Sequence, residues 1–142
     1  MANIIPYAFR GELFTGTHNF ASGGDDFKLA LYTANPYTTA STVYSATTEV
    51  SSAGSSNYTT TGNTLTGNAV AYSTAVASCD FDDTQWTSAT FTAAFGAIYN
   101  DDQSDKLCVV LDFDGDKTAT NGTFKISFPN PATPADAIIS MA

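Results

Sequence analysis

Lys106-Leu107-Cys108-Val109-Val110-Leu111-Asp112-Phe113 alternates, with Leu107, Val109, Leu111 and Phe113 on one side. A period of two is the mark of a strand with one buried face. Just before it lies Asn100-Asp101-Asp102-Gln103-Ser104-Asp105, a polar loop, and before that the apolar residues 95–99. Strand, polar loop and strand in that order predict an antiparallel hairpin. Beyond it, residues 122–128 turn Phe124, Ile126 and Phe128 inward and Lys125 outward. The intervening Asp114-Gly115 can supply the positive φ of a tight turn, so a second hairpin is expected there.

Working outward, residues 86–92 read as a further strand, with Thr87, Ala89 and Phe91 alternating and a short turn before Phe95. Residues 69–81 read as one or two strands, with Ala75, Ala77, Cys79 and Phe81 on one face. Residues 26–33 place Phe27, Leu29 and Leu31 together, and Asn35-Pro36 ends that strand. Between them, residues 38–66 are rich in Thr and Ser and include Ala53-Gly54-Ser55-Ser56, the composition of a flexible loop. Any strand in it is expected to be short and exposed. Pro129, Pro131 and Pro134 stop the strand before them, and residues 137–141 form a last short one. One helical pattern exists: Ile5, Phe9 and Leu13 recur at spacing four, Pro6 suits a first helical position and Gly16 the end, which predicts a helix over 6–14.

These elements predict a mainly β fold, an antiparallel β-sandwich of jelly-roll or Ig-like type with about seven or eight short strands and a short N-terminal helix. The chain of 142 residues is expected to be one domain, 1–24 being helix and arm and 25–142 the sandwich. Parallel α/β is disfavoured because no helical segments separate the strands.

Composition agrees. Charged residues are only 13%, and 22 Thr with 13 Ser supply the polarity instead. Thr, Val, Tyr and Phe suit a pleated, half-buried surface. The net charge of −9 opposes phosphate backbones and anionic head groups, so neither nucleic acid nor membrane is an expected partner. The first residues show no basic stretch followed by an apolar one, and synthesis in a cytosol is expected. There Cys79 and Cys108 read as two buried thiols, a disulfide between them being the lesser alternative.

Chemistry-bearing patterns are few. His18 is the one histidine, so a Ser-His-Asp hydrolase has to use it. No Gly-x-Ser-x-Gly exists, and Thr17-His18-Asn19-Phe20 favours a hydrogen-bonded structural histidine. Asp112, Asp114 and Asp116 alternate around Gly115 and are the one candidate for a structural calcium ion. The EF-hand pattern fails, since glycine stands fourth and Thr123 occupies the twelfth position, so a turn is the stronger reading. Asp82-Asp83 and Asp101-Asp102 read as solvated turns rather than a glycosidase pair. No catalytic residue and no cofactor is expected.

The N-terminal segment carries an unusual apolar load: Ile4, Ile5, Tyr7, Phe9, Leu13 and Phe14. Two readings compete, packing over an edge of its own sheets and assembly with a neighbouring subunit. The assembly reading expects a chain lacking residues 2–16 to keep its β fold.

Thr17-His18-Asn19-Phe20 followed by Asp25-Asp26-Phe27-Lys28-Leu29-Ala30-Leu31-Tyr32-Thr33 resembles the opening of small structural proteins of tailed bacteriophages. The resemblance continues through Thr48-Glu49-Val50-Ser51-Ser52, Asn57-Tyr58-Thr59, Gly62-Asn63-Thr64-Leu65, the strand from Trp86 to Phe91, Gly96-Ala97-Ile98-Tyr99 and Gly122-Thr123-Phe124-Lys125-Ile126. It covers nearly the whole chain, and the order of the motifs is more specific than any one of them. The chain departs from it at Ala53 to Ser56, where a tighter Gly-rich turn is expected. The resemblance implies a virion component, foremost a head decoration (cement) protein on the outer capsid surface. Its implied partners are the major capsid protein lattice and copies of itself, a trimer where the lattice has local three-fold points. A tail, baseplate or fibre component is the alternative; it would use Tyr37, Tyr44 and Tyr58 as exposed host-facing aromatics, whereas ordinary edge-strand residues are the stronger reading of all three. A carbohydrate-binding module or small hydrolase is the third reading.

Overall fold

A computed structural model describes residues 2–73, 75–129 and 137–141. The helix α1 spans Tyr7–Phe14 and the strands are β1 (Phe27–Tyr32), β2 (Asn63–Thr64), β3 (Ala69–Tyr72), β4 (Ala77–Asp80), β5 (Thr84–Asn100), β6 (Lys106–Ile126) and β7 (Ile139–Met141). Pro131 and Pro134, expected to stop a strand, lie outside the described residues. The fold is mainly β, with two antiparallel sheets: a four-stranded one in the order β2-β1-β5-β6 and a three-stranded one in the order β3-β4-β7. The helix begins and ends where Pro6 and Gly16 mark it; Gly16 sits at φ 68°, the left-handed geometry that glycine adopts without strain.

The hairpin over residues 100–105 forms as expected, joining β5 to β6. The second hairpin does not form. Residues 106–113 and 122–126 belong to one 21-residue strand, and residues 86–92 and 95–99 to one 17-residue strand. These two long strands pair along their whole length. Ala93 opposes Lys117 and Phe95 opposes Asp112, so Phe113 to Asp116 loop out beside Ala94 and the pairing then resumes. Asp114 at φ 55° and Gly115 at φ 104° make this excursion. The Asp-Gly pair does supply positive φ, but a bulge uses that geometry as readily as a turn. Further register shifts fall at Ser88 and Asn121, both left-handed, where Trp86 pairs with Phe124 but Ala89 with Gly122.

A bulge also redirects side chains. Ile98 pairs with Val109 but Tyr99 with Leu107, leaving Cys108 as the extra residue. A one-residue slip moves everything beyond it to the other face. Val109 and Leu111 therefore enter the main core, whereas Leu107 faces a second cluster with Ala30, Tyr32, Tyr37, Ala97, Tyr99 and Val110. The four expected same-face residues are thus divided between two faces.

Both faces of the larger sheet are covered. On one, Phe27, Leu29, Leu31 and Ile98 meet Phe9 of α1, Phe20, Cys79, Phe81 and Ile139. On the other lies the start of the Thr/Ser-rich segment with Tyr37 and Tyr44, while Val50, Tyr58 and Leu65 of the same segment enter the main core, and tyrosine hydroxyls pin the whole. Tyr32 and Tyr37 share a hydrogen bond of 2.7 Å, and Tyr32 donates to the Ser45 carbonyl at 3.0 Å. Tyr99 donates to the Thr61 carbonyl at 2.7 Å, and Tyr58 to Glu49 Oε1 at 2.7 Å. A segment whose sequence reads as flexible loop is thereby fixed by buried aromatic stems with satisfied hydroxyls. Tyr37 and Tyr58 are 5% and 3% exposed, so they are not the exposed aromatics that the tail alternative needs; Tyr44 is half-buried against Tyr99 and Glu49.

Candidate functional site: an apolar junction over a buried polar network

The N-terminal segment divides into residues that anchor it and residues that face outward. Ile4 is bonded into the free edge of β6, its N–H donating to the Val110 carbonyl at 2.9 Å and its carbonyl accepting from Val110 at 2.8 Å. The Asn3 carboxamide accepts from the Asp112 N–H at 2.8 Å. Val43 bridges to Lys106 on the same edge. The segment thus protects an edge that would otherwise offer unpaired backbone groups. Phe9 is 1% exposed and packs on His18 and Phe20. Phe9 and Ile4 serve as anchors, and the outward-facing residues are the ones placed to meet a partner. Phe14 is 94% exposed, Tyr7 and Ile5 are exposed, and Ile4 and Leu13 are half-buried. Because Ile4 and Phe9 are built into sheet and core, removal of residues 2–16 takes core with it, contrary to the expectation of a detachable arm.

A polar network ties the same segment down. Glu12 of α1 accepts from Lys106 Nζ at 2.6 Å through Oε1 and pairs with His18 Nε2 at 2.8 Å through Oε2. Asn100, fully buried, donates from Nδ2 to His18 Nδ1 at 3.0 Å and to Asp25 Oδ2 at 2.8 Å. Its Oδ1 accepts the Gln103 N–H at 3.2 Å, which fixes the orientation of the amide. With Nδ1 accepting, Nε2 carries the proton donated to Glu12. Burial alone would raise the Glu12 carboxyl, but the hydrogen bonds from Lys106 and His18 outweigh it and hold the group below its ordinary value. Asp25 behaves alike: burial opposes, while Asn100 and the Asn19 N–H lower it further than burial raises it.

Cys108 Sγ stands 4.0 Å from His18 Nδ1, so cysteine, histidine and glutamate line up in the order of a nucleophilic triad. The chemistry is not available there. Cys108 has no exposed surface, burial pushes its thiol well up, and the His18 side chain has none exposed either. A reactive thiol needs thiolate character and access. The sequence expectation of a hydrogen-bonded structural histidine holds in this geometry. Cys79 and Cys108 are both free and buried, and burial pushes the Cys79 thiol up to about 12.

The calcium candidates do not converge. Asp112 is in β6 opposite Phe95, its Oδ1 accepts the Asp114 N–H at 2.9 Å, and the bulge carries Asp114 and Asp116 outward. Among the described residues no three His, Cys, Asp or Glu side chains are placed to hold a metal ion. Beside this bulge runs an open groove of about 580 Å³, lined by Phe113, Lys117, Phe124 and Phe128 among others. Lys125 on its rim is paired with Asp83 at 2.8 Å.

The feature that sequence reading missed lies on the smaller sheet. Val70 and Tyr72 of β3 are 51% and 82% exposed, and Met141 of β7 is 57% exposed. In register, Val70, Cys79 and Ile139 form one row across the sheet, and Tyr72, Ala77 and Met141 the next. The first row closes on Phe9, Leu13 and Phe20 around a cleft of about 110 Å³. Ala77 and Met141 of the second row line the same cleft, and the row ends in Tyr72 beyond it. The small-large alternation Ala69-Val70-Ala71-Tyr72 was the available signal, and it is the pattern of a strand with one apolar face. Helix end and sheet thus join in an apolar junction lacking charge.

No family model, curated protein or solved structure matches the chain.

Proposed function

We propose that this chain is a bacteriophage virion structural protein, a capsid decoration or cement protein that binds the outside of the head lattice. The observation that carries the reading is exposed apolar surface, Phe14 at 94% with Tyr7 on the helix and, apart from them, the uncharged junction on the smaller sheet, on a chain of net charge −9. Large exposed hydrophobic groups rimmed by polar surface are the property of a docking face. The ordered likeness to phage structural proteins supplies the kind of partner. The two sheets, with helix and loop packed on them, support a β-sandwich of jelly-roll or Ig-like kind. Acidic charge suits a position away from packaged DNA. Each docking contact can be small, because a lattice offers many sites and binding only to the assembled shell stabilises it. The buried tyrosines remove the main support for a host-facing tail role.

The test is co-sedimentation of the chain with phage heads that lack it. Phe14→Asp with Tyr7→Ser should reduce binding at least tenfold while leaving the melting temperature within about 2 °C. Unchanged binding by this folded variant contradicts the reading.

A further inference from the structure

The β3 edge is built to pair with a strand, and we propose that its partner is β3 of a second copy of this chain, in a two-fold antiparallel arrangement. The Ser73 N–H donates to the Val76 carbonyl at 2.9 Å, closing the hairpin to β4. Hydrogen-bonded and non-bonded pairs alternate along an antiparallel ladder. With Ser73 bonded inward, Ala71 and Ala69 are bonded inward too, opposite Ser78 and Asp80. The N–H and C=O groups of Val70 and Tyr72 therefore face away from β4. Among the described residues no strand pairs with that side.

This edge differs from the free edge of β6, which Ile4, Val43 and Asn3 cover. It carries no charge, proline or bulge, the usual guards of an exposed strand. The sequence Ala-Val-Ala-Tyr is self-complementary when reversed about Ala71. Val70 of one copy then faces Tyr72 of the other and exchanges both backbone hydrogen bonds with it, and Ala71 faces Ala71. A β-branched residue opposite an aromatic one is a favourable cross-strand pair. The row of Tyr72, Ala77 and Met141 continues into the second copy as one apolar face.

Charge decides where two copies can meet. A copy of this chain brings the same net charge of −9, so two copies approach with least repulsion where neither carries charge. Val70 and Tyr72 bury far less area than the roughly 1,200 Å² of a stable complex, so the pairing is weak and concentration-dependent. It strengthens wherever copies are held side by side. The pairing is a property of the free chain and does not require a lattice. Its failure leaves the lattice reading, tested through Phe14 and Tyr7, standing.

Sedimentation equilibrium of the full chain from about 10 μM to 1 mM should show a reversible monomer–dimer equilibrium at the weak end of interface strength. Tyr72→Lys should weaken it at least tenfold. That change lowers the net negative charge, so long-range repulsion does not account for the loss. Ala71→Cys supplies a geometric check. Opposed residues at a non-bonded position lie about 4.5 Å apart between Cα atoms, within disulfide range. Oxidation of Ala71→Cys should give a covalent dimer, whereas Val70→Cys should cross-link much less. A chain that stays monomeric at 1 mM, a dimer indifferent to Tyr72→Lys, or equal cross-linking at both positions overturns the proposal.

Discussion

Asn100 is the residue on which the N-terminal half of the structure depends. It joins His18, Asp25 and the Gln103 backbone through both amide hydrogens and its oxygen, at zero exposure. Asn100→Ala leaves the buried His18 Nδ1 without its donor and takes one of two hydrogen bonds from Asp25 Oδ2, which keeps the Asn19 N–H. Each loss costs about 1–3 kcal/mol, so a destabilisation of about 3 kcal/mol is expected from the shift in urea midpoint. The same network sets the acid limit. Glu12 and Asp25 both have folded-state values below their ordinary 4.5 and 3.8. Their contribution is therefore complete above those values and is lost as pH falls through the lowered ones. Thermal melts should hold steady down to about pH 5 and fall steeply below about pH 4, and Glu12→Gln with Asp25→Asn should flatten that fall. Asp80 has the opposite sign. Burial raises its carboxyl, Asp82 and Asp83 add to this, and its Oδ1 has no partner among the described residues. A raised value means a contribution present below 3.8 and lost as pH rises through the folded value. Asp80→Asn should therefore stabilise the protein by about 1 kcal/mol at pH 7, the gain vanishing near pH 3. A variant less stable at pH 7 would show that the charge is needed.

At the scale of elements, the long pair β5 and β6 was legible in its parts but not as a whole. The alternation of residues 86–92, 106–113 and 122–128 identified strand. It predicted that Asp114-Gly115 reverses the chain, and it misled there because a bulge needs the same positive φ. Only the partner decides, and the partner is β5 throughout. The face of Leu107 was lost for a related reason, since the extra residue Cys108 leaves no mark in an apolar run. The helix was legible because Pro6 and Gly16 bound it. The anchoring of the Thr/Ser segment was not, since Tyr37 and Tyr58 acquire their role through Tyr32, Ser45 and Glu49, which lie five to nine residues away with no periodic pattern to link them. That segment also contains a position with no tolerance. Gly62 stands at φ 78°, and a Cβ there enters the Leu29 carbonyl. Gly62→Ala should cost at least 2 kcal/mol, from strain and the lost β1–β2 pairing together. A denaturation midpoint unchanged by this substitution would contradict the close approach. Cys79 and Cys108 are held inside the same core. Native protein at pH 8 should resist iodoacetamide, and denatured, unreduced protein should release both thiols.

On the scale of the whole molecule, the chain buries its histidine and both cysteines and leaves large apolar side chains outside along the N-terminal segment, at Val43 and on the smaller sheet. His18, Cys108 and Glu12 are spent on holding helix to sheet, while Phe14, Tyr72 and Met141 face outward. Part of the candidate surface was visible in advance as the apolar load of the first residues. The part on β3 was not, because nothing in Ala69-Val70-Ala71-Tyr72 tells that its face is left exposed. The same reasoning separates contact from anchor: Phe9→Ala should destabilise by about 3–5 kcal/mol, whereas Phe14→Ala should leave stability nearly unchanged. The claim that this exposed apolar surface serves attachment to a phage head is tested most directly by cryo-electron microscopy of virions carrying this protein. The account predicts density for the chain on the outer surface of the head, repeated with the lattice, with α1 turned toward the shell. Density confined to the tail, or virions that contain none of the protein, would contradict it.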